Sequence, residues 1–322
     1  MKRNFVRNSV PALAVALTGL WIGAAAIHAQ APQGKDLTWA FPVADKVQPD
    51  VDAKKLHQLP GSTLSLTAPQ IDDLMNPPDW FPNEHPAPPQ IVVHGTPPNA
   101  LACGSCHLMS GQGHPESAGL AGLPAAYIIR QMEYFKSGAR KDPARMNGIA
   151  KQVTDEEARQ AAEYFASLKP VLWTKVVEAD MVPKSRVMRT RMRLKAEDGG
   201  MEPLGNRIIT LPLDDERIEE RDPHTGFTAY VPKGSLKKGE ALVKNTNAKT
   251  IQCAICHGRD LHGIGDVPGI AGLHPIYIVR QLYNFRNGGA NGGLDQLMKA
   301  VVEKLDDDDI LNVAAYVASA PR

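Results

Sequence analysis

A shift of 150 residues lays one part of this chain on another. Cys103-Gly-Ser-Cys106-His107 falls on Cys253-Ala-Ile-Cys256-His257, and the stretch from Ala121 to Gly138 falls on that from Ala271 to Gly288 with nine of eighteen positions identical. A duplication of this kind restricts the architecture more than any local propensity does, because one domain type must then occur twice. All four cysteines of the chain lie in the two shared five-residue units.

Each copy reads in the same order: a cysteine unit, a Gly-rich loop, a helix, a loop containing methionine, and a last helix. Tyr127, Arg130, Gln131 and Phe135 recur at three- and four-residue spacing and predict a helix that stops at Gly138. Thr154-Asp-Glu-Glu157 is a capping-box pattern opening the last helix of the first copy, which runs through Ala161, Tyr164, Phe165 and Leu168 to Pro170. Its counterpart begins near Asp306. The acidic run Asp306–Asp309 reads as an N-cap and a first turn that complements the helix dipole, since no loop of Ca²⁺-ligand spacing follows it. Outside the copies, residues 32–91 form a proline-rich extended segment with Trp39, Trp80 and Phe81 as anchors. Residues 171–235 form a connector with short β-type runs, Arg207-Ile-Ile-Thr-Leu and Gly226-Phe-Thr-Ala-Tyr-Val.

Cys-x-x-Cys-His is the attachment pattern for c-type haem. Two thiols at this spacing match the two vinyl groups along one porphyrin edge, and the adjacent histidine is held beneath the iron as proximal ligand. A disulfide pair has no use for that histidine. A zinc site assembled from the four thiols would need a short gap between the pairs, whereas 146 residues separate Cys106 from Cys253. A thioredoxin-like redox pair would require an α/β domain, of which there is no sign. The expectation is two covalently bound haem c groups, held by Cys103, Cys106 and His107 and by Cys253, Cys256 and His257.

For the sixth iron ligand, thioether sulfur is a frequent partner of histidine in cytochromes. Met298 is the one methionine after Cys253, 41 residues beyond His257. The first copy offers Met109, Met132 and Met146. Met109 aligns with Arg259 and Met132 with Leu282, while Met146 lies 39 residues beyond His107 at nearly the spacing of Met298. Met146 and Met298 are therefore the expected metal ligands, with His114, His262 and His274 as alternatives that do not match between copies. A methionine in such a place can also be mere packing. Arg130 and Arg280 are candidates for neutralising haem propionates or simply helix-surface residues. Tyr127, Tyr277, Phe135 and Phe285 are expected to pack against the porphyrin or the terminal helices. His57, His85, His94 and His224 lie outside the copies and read as surface or capping residues.

The N-terminus reads as a secretory signal over residues 1–31: Lys2, Arg3 and Arg7 are followed by a charge-free apolar run and by Ala29-Gln-Ala31. An uncleaved anchor is the alternative. Without those three bases the chain carries 33 basic and 35 acidic side chains, a balance that gives no reason to expect nucleic-acid binding.

On these motifs, with the Ala161–Ser167 and Ala314–Ser319 terminal segments and Gly239-Glu-Ala-Leu-Val243, the chain resembles the tandem dihaem cytochromes c. The resemblance covers about residues 92–170 and 236–322. It implies a mainly α chain of two class I cytochrome c-like domains, His–Met ligation, and electron transfer between redox proteins in the periplasm. It also allows a membrane-associated oxidase or dehydrogenase as partner. Leu108 and Ala118 depart from the pattern, standing where the second copy has Gly258 and Pro268. Two other exported architectures compete: a dihaem cytochrome c peroxidase, which needs two unlike domains and one labile ligand, and the cytochrome subunit of a periplasmic dehydrogenase. A methionine in each of two like domains favours a carrier over an enzyme.

Overall fold

A computed structural model describes residues 36–322 except Asn99. The expected signal segment lies outside the described residues. Among the described residues no helix is long and apolar enough to cross a membrane.

The two copies are built on the same helices. Ala125–Ser137 corresponds to Pro275–Arg286, and Asp155–Ser167 to Asp307–Ser319. Both last helices carry capping boxes, the first as anticipated and the second where the sequence predicts an N-cap and acidic first turn: Thr154 and Asp306 accept from the backbone N–H three residues on, and Glu157 and Asp309 reach back. In the first copy the core gathers Ile91, Val92, Leu123, Ile128, Ala162 and Phe165. Phe165 is 1% exposed, and burying a phenylalanine of this kind stabilises by about 2–3 kcal/mol.

The copies differ at their entrance. The second opens with a helix, Ser235–Val243, laid against the terminal helix so closely that a Cβ at Gly239 would meet the Asn312 carbonyl oxygen at 2.0 Å. In the first copy only the single turn Gln90–Val93 remains. Pro86, Pro88 and Pro89 precede it, and proline lacks the N–H and clashes with the preceding turn that a longer helix would need.

The connector is more ordered than a linker. Thr174–Glu178 pairs in parallel with Phe227–Val231, which pairs antiparallel with Ile209–Pro212, so both β-type runs read from the sequence are strands of one mixed sheet. Met181–Pro183 pairs with Met201–Pro203, and Ser185–Val187 with Arg193–Lys195. Ile209, Leu211, Ala229 and Val231 of the sheet share one core with Ile310, Leu311 and Ala315 of the last helix. The N-terminal segment is anchored at the expected aromatics. Trp39 enters that same core, while Trp80 and Phe81 pack with Leu59 and Ile71, and the Trp80 indole donates to the Glu220 carbonyl at 2.7 Å.

Candidate haem-binding sites

Each cysteine unit forms one helical turn, Gly104–His107 and Ala254–His257. The His107 N–H donates to the Cys103 carbonyl at 3.0 Å and the His257 N–H to that of Cys253 at 2.9 Å. Residues i, i+3 and i+4 share a helix face, so each turn presents two thiols and an imidazole together. Burial pushes the Cys103 thiol up to about 12 and the Cys253 thiol up to about 11. Such a setting disfavours a thiolate but costs a neutral thioether nothing.

The imidazoles are oriented alike. His107 Nδ1 donates to the Ala118 carbonyl at 2.8 Å, and His257 Nδ1 to the Pro268 carbonyl at 2.8 Å. Ala118 thus does the work of Pro268, because the acceptor is a backbone oxygen that either residue supplies. A proton fixed on Nδ1 leaves the Nε2 lone pair free to bind a metal. Burial lowers the basicity of both rings, against the opposing pull of those carbonyls.

In the first half a cavity of about 680 Å³ opens beside this turn, within the range of small-molecule and cofactor sites. Cys103, Cys106, His107 and Met146 line it together with Tyr127, Phe135 and Phe165. An apolar, aromatic chamber with two thiols, one correctly tautomerised imidazole and a thioether fits a haem c. Met132 and His114 also line it. His114, however, accepts the Glu116 N–H on Nδ1 at 3.3 Å and contacts the Ser117 hydroxyl through Nε2 at 3.1 Å, so both of its nitrogens are engaged. Met109 instead packs over Gly104.

In the second half His257 is buried, Cys253 half-buried and Cys256 exposed. His274 is held by Thr174 at 2.7 Å, and exposed His262 contacts the Pro321 carbonyl at 3.0 Å. Met298 is half-buried against the second core. Neither expected ligand methionine lies in a loop. Met146 opens the short helix Met146–Ala150, and Met298 sits inside Asp295–Val302. The signal was available: Leu294, Leu297, Met298, Val301 and Val302 recur at helical spacing. The two methionines correspond at a shift of 152 residues, as the last helices do, so two extra residues enter the second copy between Gly288 and Met298.

Arg130 and Arg280 cross between the halves. Arg130 reaches Asp266, donating to its carbonyl at 3.2 Å, while Arg280 pairs with the carboxylate of Glu116 and donates to the Ala40 carbonyl at 2.6 Å. Tyr277 joins Tyr127 and Phe135 at the first cavity, and Phe285 packs in the second core. The four outlying histidines have local partners: His57 Glu220, His85 Asp79, His94 Asn76 and His224 Glu84.

Two further features go beyond the sequence reading, the backbone at Leu108 and the place of Arg140. Leu108 adopts φ 59°, ψ 161°, nearly the backbone of Gly258 at φ 84°, ψ 159°. That region is essentially glycine's own and costs a side chain about 1–3 kcal/mol. Leu108 is offset by burial among Trp173, Met188, Leu194, Ile218 and Phe227 of the connector. The other is Arg140, buried between the halves. Its counterpart in the repeat is Ala290, so a search for shared residues passes over it.

The cytochrome c family model matches residues 236–321. A cytochrome c-554(548) of Halomonas halodenitrificans is 34% identical over 68 residues, 21% of this chain and 82% of the relative. This chain is a cytochrome c. The thiosulfate dehydrogenase electron acceptor of Thiomonas intermedia is 28% identical over 229 residues, 70% of this chain and 81% of its own. Cytochrome c4 of Azotobacter vinelandii is 24% identical over 232 residues, 68% and 84% of the respective chains. With its duplicated helices, the cytochrome is a tandem dihaem electron carrier with two covalently bound haem c groups.

Proposed function

We propose that Cys103 and Cys106 would attach one haem whose iron His107 and Met146 would hold, and that Cys253 and Cys256 would attach the other, held by His257 and Met298. The observation that carries this reading is the duplicated imidazole geometry, each Nδ1 donating to a carbonyl eleven residues ahead at 2.8 Å. When bound, each haem iron takes up and releases one electron. The chain's own residues supply the rest: the carbonyl partners hold each histidine's proton away from the metal, the thioethers fix the porphyrin edge, and the aromatic lining keeps water from the first cavity.

The chain is exported, with residues 1–31 as its signal, and works between periplasmic redox proteins. The relative named as an electron acceptor of thiosulfate dehydrogenase supports a periplasmic dehydrogenase as donor. Exchange with such partners runs through the second half, where Ile255, Ile264, Leu294 and Leu297 are exposed around the attachment turn and the methionine helix. Isolated apolar side chains are ordinary, but a group of them marks an interaction surface.

Mature protein denatured in acid–acetone should retain two haems per chain. Cys103→Ala with Cys106→Ala should leave one, as should Cys253→Ala with Cys256→Ala. Met298→Ala should keep both haems, lose one share of the near-infrared band of methionine-ligated ferric haem, and bind added imidazole at that iron. A wild type that loses its colour on extraction contradicts the attachment, and a Met298→Ala spectrum like that of the wild type contradicts the ligation.

A further inference from the structure

Residues equivalent in the repeat meet one another between the two halves. The Lys141 N–H donates to the Gly289 carbonyl and the Asn291 N–H to the Ala139 carbonyl, both at 2.7 Å, around an antiparallel bridge joining Arg140 to Ala290. Each of the pairs 139/289, 140/290 and 141/291 differs by the repeat shift of 150. The ion pairs Arg130–Asp266 and Arg280–Glu116 obey the same rule, since 130 corresponds to 280 and 116 to 266. Mutual contacts of this form are the signature of a two-fold axis. Here the axis is approximate and runs through the bridge at Arg140.

At that bridge the symmetry fails in one respect: the first copy places a cation there and the second an alanine. The Arg140 guanidinium donates to Gln131 Oε1 of its own half at 2.6 Å, to the equivalent Gln281 Oε1 of the other half at 2.6 Å, and to the Tyr277 hydroxyl at 3.3 Å. It also lies 4.6 Å from the centre of the Phe135 ring. The residue is 7% exposed. Among the described residues no carboxylate oxygen comes within 4.0 Å of it, and buried Asp295 feels its charge from farther away. A buried cation without an anion beside it is expensive. Arg140, Gln131, Tyr277 and Gln281 all line the cavity that holds Cys103, Cys106 and His107, and each haem brings two carboxylates of its own.

We propose that Arg140 is a counter-ion shared by both haems: the two glutamines hold its guanidinium on the approximate axis, where it compensates haem carboxylates from either half. The inference rests on the placement of the haems at the two cysteine turns. One positive charge then favours the electron-rich reduced state at both sites, and its position is set by both halves together.

The test uses the holoprotein and spectroelectrochemical titration of both haems. Arg140→Gln keeps hydrogen-bonding capacity and removes the charge. It should lower both reduction potentials, each by about tenfold in its one-electron equilibrium, or about 59 mV. Arg140→Lys should restore most of the loss, because it keeps the charge and gives up only the fork geometry. Arg159→Gln, on the exposed face of a helix, should move neither potential. A fall at one haem alone, or no change at either in protein that still holds two haems, overturns the shared counter-ion. A chain that retains no haem in the wild type defeats the placement of the haems instead. Should Arg140→Gln not fold, Arg140→Lys and Gln281→Leu carry the comparison: Gln281→Leu frees the guanidinium from the second half and should change the gap between the two potentials, and an unchanged gap also overturns the proposal.

Discussion

The two attachment turns share a template and differ in what lies over them. Ser105 and Ile255 occupy the same place in their motifs, yet Ser105 is 2% exposed and Ile255 66%. Over the first turn the N-terminal segment and the connector meet at Arg221. Its guanidinium donates to the carbonyl of Ser105 and to that of Ile71, and lies 3.6 Å from the Asp72 carboxylate. Trp173, Ile218 and Leu108 close the apolar side. Among the described residues the second turn has no such cover. Duplication produces two equivalent turns, and the inserted segments then make them unequal: one covered by the chain itself, the other left exposed.

The largest expected effect tests the seal. Trp173 stands edge-on to Phe227 with ring centres 5.2 Å apart and packs with Leu108. Trp173→Ala should destabilise the holoprotein by about 3–5 kcal/mol, seen as a lowered denaturation midpoint. A cost as small as that of a surface substitution would break the picture of a packed cover.

A reciprocal pair sharpens it. Gly258→Leu places a side chain in glycine's backbone region with its Cβ 3.0 Å from the Gly263 carbonyl oxygen, and should cost about 1–3 kcal/mol. Leu108→Gly releases a similar strain while losing about 1.5–3 kcal/mol of burial, so the net change should stay within about 1 kcal/mol. Urea midpoints measured side by side decide this, and equal losses would show that Leu108 is not held by the connector.

The open half makes a kinetic prediction. Ile255→Asp should leave the melting temperature nearly unchanged, as an exposed substitution does, and slow electron exchange with a physiological partner by about tenfold through a desolvated charge at the contact. Stopped-flow rates that match the wild type would place docking elsewhere.

The smallest effect concerns pH. The Asp79 carboxylate beside His85 raises the pKa of that imidazole above its usual 6.5, against desolvation. A folded-state pKa above the unfolded one stabilises fully below the unfolded value and is lost as pH rises through the raised one. His85 also stands edge-on to Tyr164 of the first half. The stability gap between wild type and His85→Gln should therefore narrow between about pH 6 and about pH 8. A gap that widens with pH would reverse the sign.

Much of each half could be read directly because its determinants are local. Cys103, Cys106 and His107 lie within one helical turn, so their spacing alone places two thiols and an imidazole on one face. Thr154 with Glu157, and Asp306 with Asp309, cap their helices across three residues. The strands Ile209–Pro212 and Phe227–Val231 follow from β-branched and aromatic runs. What the tertiary structure decided lies between residues far apart. Arg221 and Ser105 are separated by 116 positions, and Arg140 and Gln281 by 141. Arg130 and Arg280, which a helix wheel leaves free to face a haem or solvent, are drawn to carboxylates of the opposite half. Periodicity and spacing report on neighbours along the chain. Which attachment turn the extra segments cover, and which cation stands on the axis, depend on packing between surfaces that only the folded chain brings together.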